Sequence, residues 1–118
     1  MPRGYDMLVV DLDGTLLDRE GRVSVRNEAA LRDARADGMV VSVATGRAPS
    51  EARSILRGIG YSGPLIAAGG AQLVDAATGR TLRRDPITLD VVHDVAARLI
   101  EHRHRALVLK DECRTGYH

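Results

Sequence analysis

The sequence is poor in aromatic residues, lysine and cysteine. It has no Trp, no Phe and three Tyr among 118 residues. A core without large rings must be filled by Leu, Val, Ile and Ala. That filling suits parallel strands buried on both faces, with helices packed against them. Lys110 is the single lysine among 17 basic residues. Cys113 is the single cysteine, so no internal disulfide is expected and a reducing cytoplasm is the expected compartment. Neither sign of charge dominates: Lys and Arg number 17, Asp and Glu 16, and the formal charge is +1. The overall basic excess of a nucleic-acid binder is therefore missing. No apolar run reaches the roughly 18 residues of a membrane span. The first apolar run ends in Asp11, not in a signal-peptide cleavage pattern. Neither nucleic acid nor membrane is expected as a partner. What remains is a globular composition, 44% apolar and 28% charged, long enough for one domain or one domain and part of another.

Met7-Leu8-Val9-Val10 is apolar without alternation and reads as a strand buried on both faces. Asp18 and Gly21 suit a small turn or hairpin over residues 16–23. Ser24 is a natural N-cap for a helix to about Asp37, with Gly38 as its stop. The second strand is predicted over residues 39–44. Pro49 then falls in the first turn of another helix, with Glu51 near the positive end of its dipole, and that helix fades at Gly58 or Gly60. Pro64-Leu65-Ile66-Ala67-Ala68 is a third strand, closed by Gly69-Gly70. Strand, helix, strand, helix, strand is the beginning of a doubly wound parallel sheet.

The rhythm then changes. Residues 71–74 and 80–82 flank a Gly turn and read as a β-hairpin. Thr88 or Asp90 can cap the next helix, which repeats Val91, Val92, Val95, Ala96, Leu99 and Ile100 on one face. Ala106-Leu107-Val108-Leu109 reads as a further strand. The expected fold is α/β: a Rossmann-like parallel sheet over residues 1–69, followed by the start of an α+β domain over residues 70–118.

The sharpest chemical signal is Asp11-Leu12-Asp13-Gly14-Thr15 at the carboxyl end of the first strand. Ligands of open α/β sheets bind in that region. Period 2 along the strand directs Asp11 and Asp13 toward one site. Two carboxylates so close repel each other, and a divalent cation relieves the repulsion; oxygen ligands with retained waters suit Mg²⁺. A calcium loop would need acids at positions 1, 3 and 5 and Glu at 12. Here those last two positions are Thr15 and Arg22.

This segment resembles the first motif of the haloacid dehalogenase superfamily of phosphohydrolases. Thr45, after Val40-Val41-Ser42-Val43-Ala44, resembles the second motif. Ala44-Thr45-Gly46-Arg47 has the form of the Cof-like branch, in which a cap is inserted after the third strand. Gly69 stands where that branch usually has Asn. The resemblance implies that Asp11 is a nucleophile forming an aspartyl-phosphate. Asp13 would protonate the leaving oxygen and then assist water. The Asp11 carboxylate and the Asp13 backbone carbonyl would bind Mg²⁺. Thr45 would hydrogen-bond a phosphoryl oxygen, with Gly46 and Arg47 beside it. Residues 14–24 would form a flap over the site. Small phosphorylated metabolites, such as sugar phosphates or phosphorylated cofactors, would be the substrates.

Thr45 also fits a plain helix cap before Pro49, and Arg47 fits either substrate contact or surface ion pairing. His93, His102 and His104 have no acidic partner set and read as the polar part of a helix. The family also implies a later lysine and a later acidic pair. Lys110 is poorly placed for the first, and Asp111-Glu112 lacks the Gly-Asp pattern of the second. The expectation is therefore the N-terminal part of a longer enzyme, with its first strand left as an apolar sheet edge prone to self-association. Two rival readings remain. One is a catalytically inactive binding module. The other is a receiver-type phospho-acceptor, against which the hairpin after Gly70 argues.

Overall fold

The computed structural model describes residues 4–109. In chain order the elements are β1 (Met7–Asp11), α1 (Val25–Ala36), β2 (Val40–Ala44), α2 (Pro49–Arg57), β3 (Pro64–Ala67), β4 (Gln72–Asp75), β5 (Thr81–Arg84) and α3 (Leu89–Glu101). The five strands form one sheet in the order β1-β2-β3-β4-β5. The first three run parallel, and β4 and β5 are added antiparallel. Each parallel pair is joined by a helix, as the strand–helix–strand rhythm requires.

Local chemistry sets the boundaries. The Ser24 side chain accepts a hydrogen bond from the Asn27 amide at 3.1 Å and caps α1. Pro49 occupies the first turn of α2, where its missing N–H costs nothing. Gly38, just past the end of α1, takes a φ of 84°, open to glycine at no steric cost. The β4–β5 turn is held by Asp75, which accepts from the Ala77 amide and the Thr78 hydroxyl at 3.0 and 2.9 Å.

Leu31 of α1 and Ala52 and Leu56 of α2 share one buried cluster with Val41, Val43, Leu65, Ala67 and Val74. The register pairs Val43 with Leu65 and Leu65 with Val74, so these side chains line one face of the sheet. Both crossover helices therefore cover that face. On the other face Met7, Val9 and Val40 remain half exposed. β1 is an edge among the described residues.

The hairpin expected after Gly70 is present, and it is hydrogen-bonded to β3 within the core sheet. The strand expected at residues 106–109 is not formed. Residues 104–109 carry no regular structure, and Leu107 is exposed. A strand persists only with a hydrogen-bonded neighbour, and among the described residues this segment is paired with no strand of the sheet. Lys110, Asp111, Glu112 and Cys113 lie outside the described residues. No helix among the described residues is long and apolar enough to cross a membrane.

Tyr61 locks the sheet from below α2. Its ring is buried, and the Arg35 guanidinium lies 5.7 Å from its centroid. The hydroxyl lies 2.9 Å from the Val41 carbonyl oxygen and 2.6 Å from that of Pro64, and its one proton serves one of them at a time. Burial pushes the phenol up to about 12. Burial thus favours the neutral form, and its contribution is whole below the ordinary tyrosine value near 10. It is lost as pH rises from there through about 12. Tyr61→Phe is expected to cost about 1 kcal/mol at neutral pH. Urea denaturation of both proteins should show that difference shrinking at alkaline pH; a constant difference would remove Tyr61 ionisation from the account.

Candidate active site

The parallel register of β1 and β2 sets Asp11 beside Ala44, the residue before Thr45. Both strands end together, so the two sequence motifs meet at one end of the sheet. After Asp11 the chain makes a tight turn in which the Leu17 amide donates to the Leu12 carbonyl at 2.9 Å. Leu12 and Leu16 are buried and anchor this turn. Gly14, at φ 74°, supplies the left-handed step that a side chain would strain. Between the anchors, Asp13 is left exposed at the rim.

Thr45 is buried, and its amide donates to the Ile66 carbonyl at 2.8 Å. Its hydroxyl accepts from the Arg47 amide at 3.1 Å. The turn after β3 supports this loop: the Ala68 amide donates to the Arg47 carbonyl at 2.8 Å and the Gly69 amide to the Thr45 carbonyl at 3.1 Å. Gly69 holds a φ of 65°, a conformation that glycine reaches readily. Gly46 lies in the same loop. Its own Cβ position would meet open space.

The Arg47 side chain reaches across to Asp13. Nε donates to Oδ2 and Nη2 to Oδ1, both at 2.7 Å. This is a bidentate fork, the strong form of a charge-assisted pair. The hydrogen bonds from Arg47 hold the Asp13 carboxyl below its ordinary value. Asp13 in turn raises Arg47.

Beyond the turn, Leu17 and Val23 form an antiparallel bridge. The Asp18 amide donates to the Arg22 carbonyl at 2.8 Å, closing a small hairpin. The Asn27 side chain donates to the Leu16 carbonyl at 3.1 Å and ties this segment to α1.

The structure thus brings Asp11, Asp13, Thr45, Gly46 and Arg47 to the carboxyl ends of β1 and β2. His93 lies within α3 and His102 at its end. No group of three His, Cys, Asp or Glu side chains suited to a metal occurs among the described residues. The donors near the turn are hard oxygens: two carboxylates and the backbone carbonyls beside them. Such donors fit Mg²⁺, which keeps several waters and uses one or two carboxylates. Sequence reading missed the direct Asp13–Arg47 pair. The two residues are 34 positions apart, and only the strand register brings them together.

The sequence profile of the haloacid dehalogenase-like hydrolases matches residues 8–118. The chain belongs to this family. Among its relatives, phosphatase YwpJ of Bacillus subtilis is 39% identical over 89 residues, covering 75% of this chain and 31% of that protein. The HMP-PP phosphatase of Serratia proteamaculans is 33% identical over 91 residues, covering 77% of this chain and 33% of that protein. A solved haloacid dehalogenase-like hydrolase from B. subtilis superposes with a TM-score of 0.78 at 36% identity, over 84% of this chain and 34% of that one. The chain spans about a third of the length of these proteins. It corresponds to the N-terminal part of a Cof-like hydrolase of the haloacid dehalogenase family, as the two motifs implied.

Proposed function

We propose that this chain carries the nucleophile half of a Mg²⁺-dependent phosphatase acting on small phosphate monoesters in the cytoplasm. The observation that supports it most is the meeting of Asp11, Asp13 and Thr45 at the end of two parallel strands. In this reading an Asp11 oxygen attacks phosphorus and the ester P–O bond breaks. The electron pair goes to the leaving oxygen, which takes a proton from Asp13. Water then attacks the aspartyl-phosphate, passing a proton to Asp13 and releasing phosphate and free Asp11. Thr45 orients a phosphoryl oxygen, with Gly46 beside it. Asp11 and the Asp13 carbonyl would hold Mg²⁺, which supplies neutralising charge to phosphoryl oxygens. Residues 14–24 act as the flap.

For the organisation of the chain we keep residues 1–69 as core and residues 70–118 as the beginning of an inserted cap, with the β4–β5 hairpin bonded to the core sheet. As substrates we take small phosphorylated metabolites, such as sugar phosphates or phosphorylated cofactors. A further relative is named 5-amino-6-(5-phospho-D-ribitylamino)uracil phosphatase YwtE. The test is Mg²⁺-dependent hydrolysis of p-nitrophenyl phosphate by a chain extended to the length of the relatives. Activity that survives Asp11→Asn would reject the nucleophile. A second reading, a catalytically inactive module that serves only for binding or interaction, draws support from the Asp13 carboxylate, both of whose oxygens are engaged by Arg47. Release of p-nitrophenol by the extended chain would reject it.

A further inference from the structure

We propose that Arg47 exchanges partners, holding Asp13 when the site is free and releasing it to take the phosphoryl group of an incoming ester. The proposal rests on the phosphatase reading and adds a positioning residue to it. Both Asp13 oxygens accept from one guanidinium. An acid must present one oxygen, with its proton, to the leaving group. The fork turns both Asp13 oxygens toward Arg47, so Asp13 faces a leaving group only when the pair opens during turnover.

Three features make exchange favourable. A guanidinium fork matches phosphate and carboxylate equally well. The pair is accessible: the Arg47 side chain is 36% exposed and that of Asp13 is 55% exposed, so a dissolved anion can reach both. The Arg47 backbone stays fixed, because its amide donates to Thr45 and its carbonyl accepts from Ala68. Only the side chain need swing. Thr45, the residue assigned to a phosphoryl oxygen, holds the base of that swing. An arriving phosphate would thus free Asp13 at the moment Asp13 is needed.

The test uses inorganic phosphate as the probe, without added metal, at neutral pH. Its affinity is measured by titration calorimetry for the 118-residue chain, Asp13→Asn, Arg47→Gln and the double variant. Both side chains are exposed, and far-ultraviolet circular dichroism checks that each variant folds. Asp13→Asn should bind phosphate about tenfold more tightly, because Arg47 no longer needs to leave a carboxylate. In the Arg47→Gln background the same change should gain less than about twofold, the residue of simple charge removal. Arg47→Lys should recover only part of the affinity, since a point charge replaces a fork. In the unsubstituted chain the Arg47 Nε resonance should move as phosphate is added.

An equal gain in both backgrounds would overturn the exchange, as would an unmoved Nε resonance or no phosphate binding by any of the four proteins. Loss of hydrolysis in Asp11→Asn alongside an additive cycle would reject the exchange and leave the nucleophile reading intact. Hydrolysis surviving Asp11→Asn would reject that reading instead, whatever the cycle gave.

Discussion

On the proposed reading, Asp11→Asn should take the Mg²⁺-dependent hydrolysis of p-nitrophenyl phosphate by the extended chain to background. An amide is no nucleophile toward phosphorus, so the covalent step is lost outright. Asp13→Asn is milder in kind. It should remove the general acid–base help proposed for Asp13, which supplies about 10²–10⁴ in rate, and that loss should be largest for an alkyl ester whose leaving oxygen needs a proton. The 118-residue chain alone should sit near background even unsubstituted. A phosphate ester brings negative charge to a turn that already holds Asp11 and Asp13. In the free site the charge of Arg47 is already matched by Asp13. The family resemblance implies a lysine and a further acidic metal ligand beyond those at the turn. Each preorganised electrostatic group removed typically lowers the rate by about 10²–10³. Steady-state assays of the short chain, the extended chain and extended Asp11→Asn decide the matter. Equal rates for the short and extended chains would mean that the 118 residues hold a complete site.

Light scattering of the 118-residue chain should give a mass that rises with concentration, and Val9→Lys should hold it at the monomer value of 12.7 kDa. β1 is the exposed edge: Met-Leu-Val-Val-Asp, with no proline, no lysine and no bulge. Met7 and Val9 are 51% and 47% exposed, and Val40 beside them is 51% exposed. A flat apolar edge of this kind offers unpaired N–H and C=O groups to a second copy. The far edge of the sheet is guarded by charge at Arg83 and Arg84. Val9→Lys places a cation on the half-exposed face of β1, an arrangement natural edges use to discourage pairing. Leu8 and Val10, which pack against the core, are untouched. A monomer at every concentration in the unsubstituted chain would mean that the edge is not a docking surface. Association that survives Val9→Lys would move the contact elsewhere, the apolar α3 face being the alternative.

The sequence by itself determined most of the elements and pointed to the candidate site. Strands β1, β2 and β3 were marked by short apolar runs, but the burial expected on both faces of β1 is not found: its Met7 and Val9 face stays half exposed. Ser24, Pro49 and Gly38 marked helix ends, because capping and backbone freedom are local properties. Asp11, Asp13 and Thr45 stood out because they lie at or just past the ends of β1 and β2, and strand ends are where parallel sheets present side chains to ligands.

The tertiary structure decided what depends on distant neighbours. Arg47 was open between substrate contact and ion pairing; the β1–β2 register set its fork on Asp13 across 34 residues. The hairpin was legible as a hairpin, but its bonding to β3 is a matter of edge pairing, which hydrophobic pattern does not encode. The run at residues 106–109 has strand composition and no strand structure, because strands are made by their neighbours. The Tyr61 hydroxyl, locked between Val41 and Pro64, had no local signature at all. Sequence periodicity reports which face of an element is apolar, whereas partner, register and edge are fixed only when the elements pack.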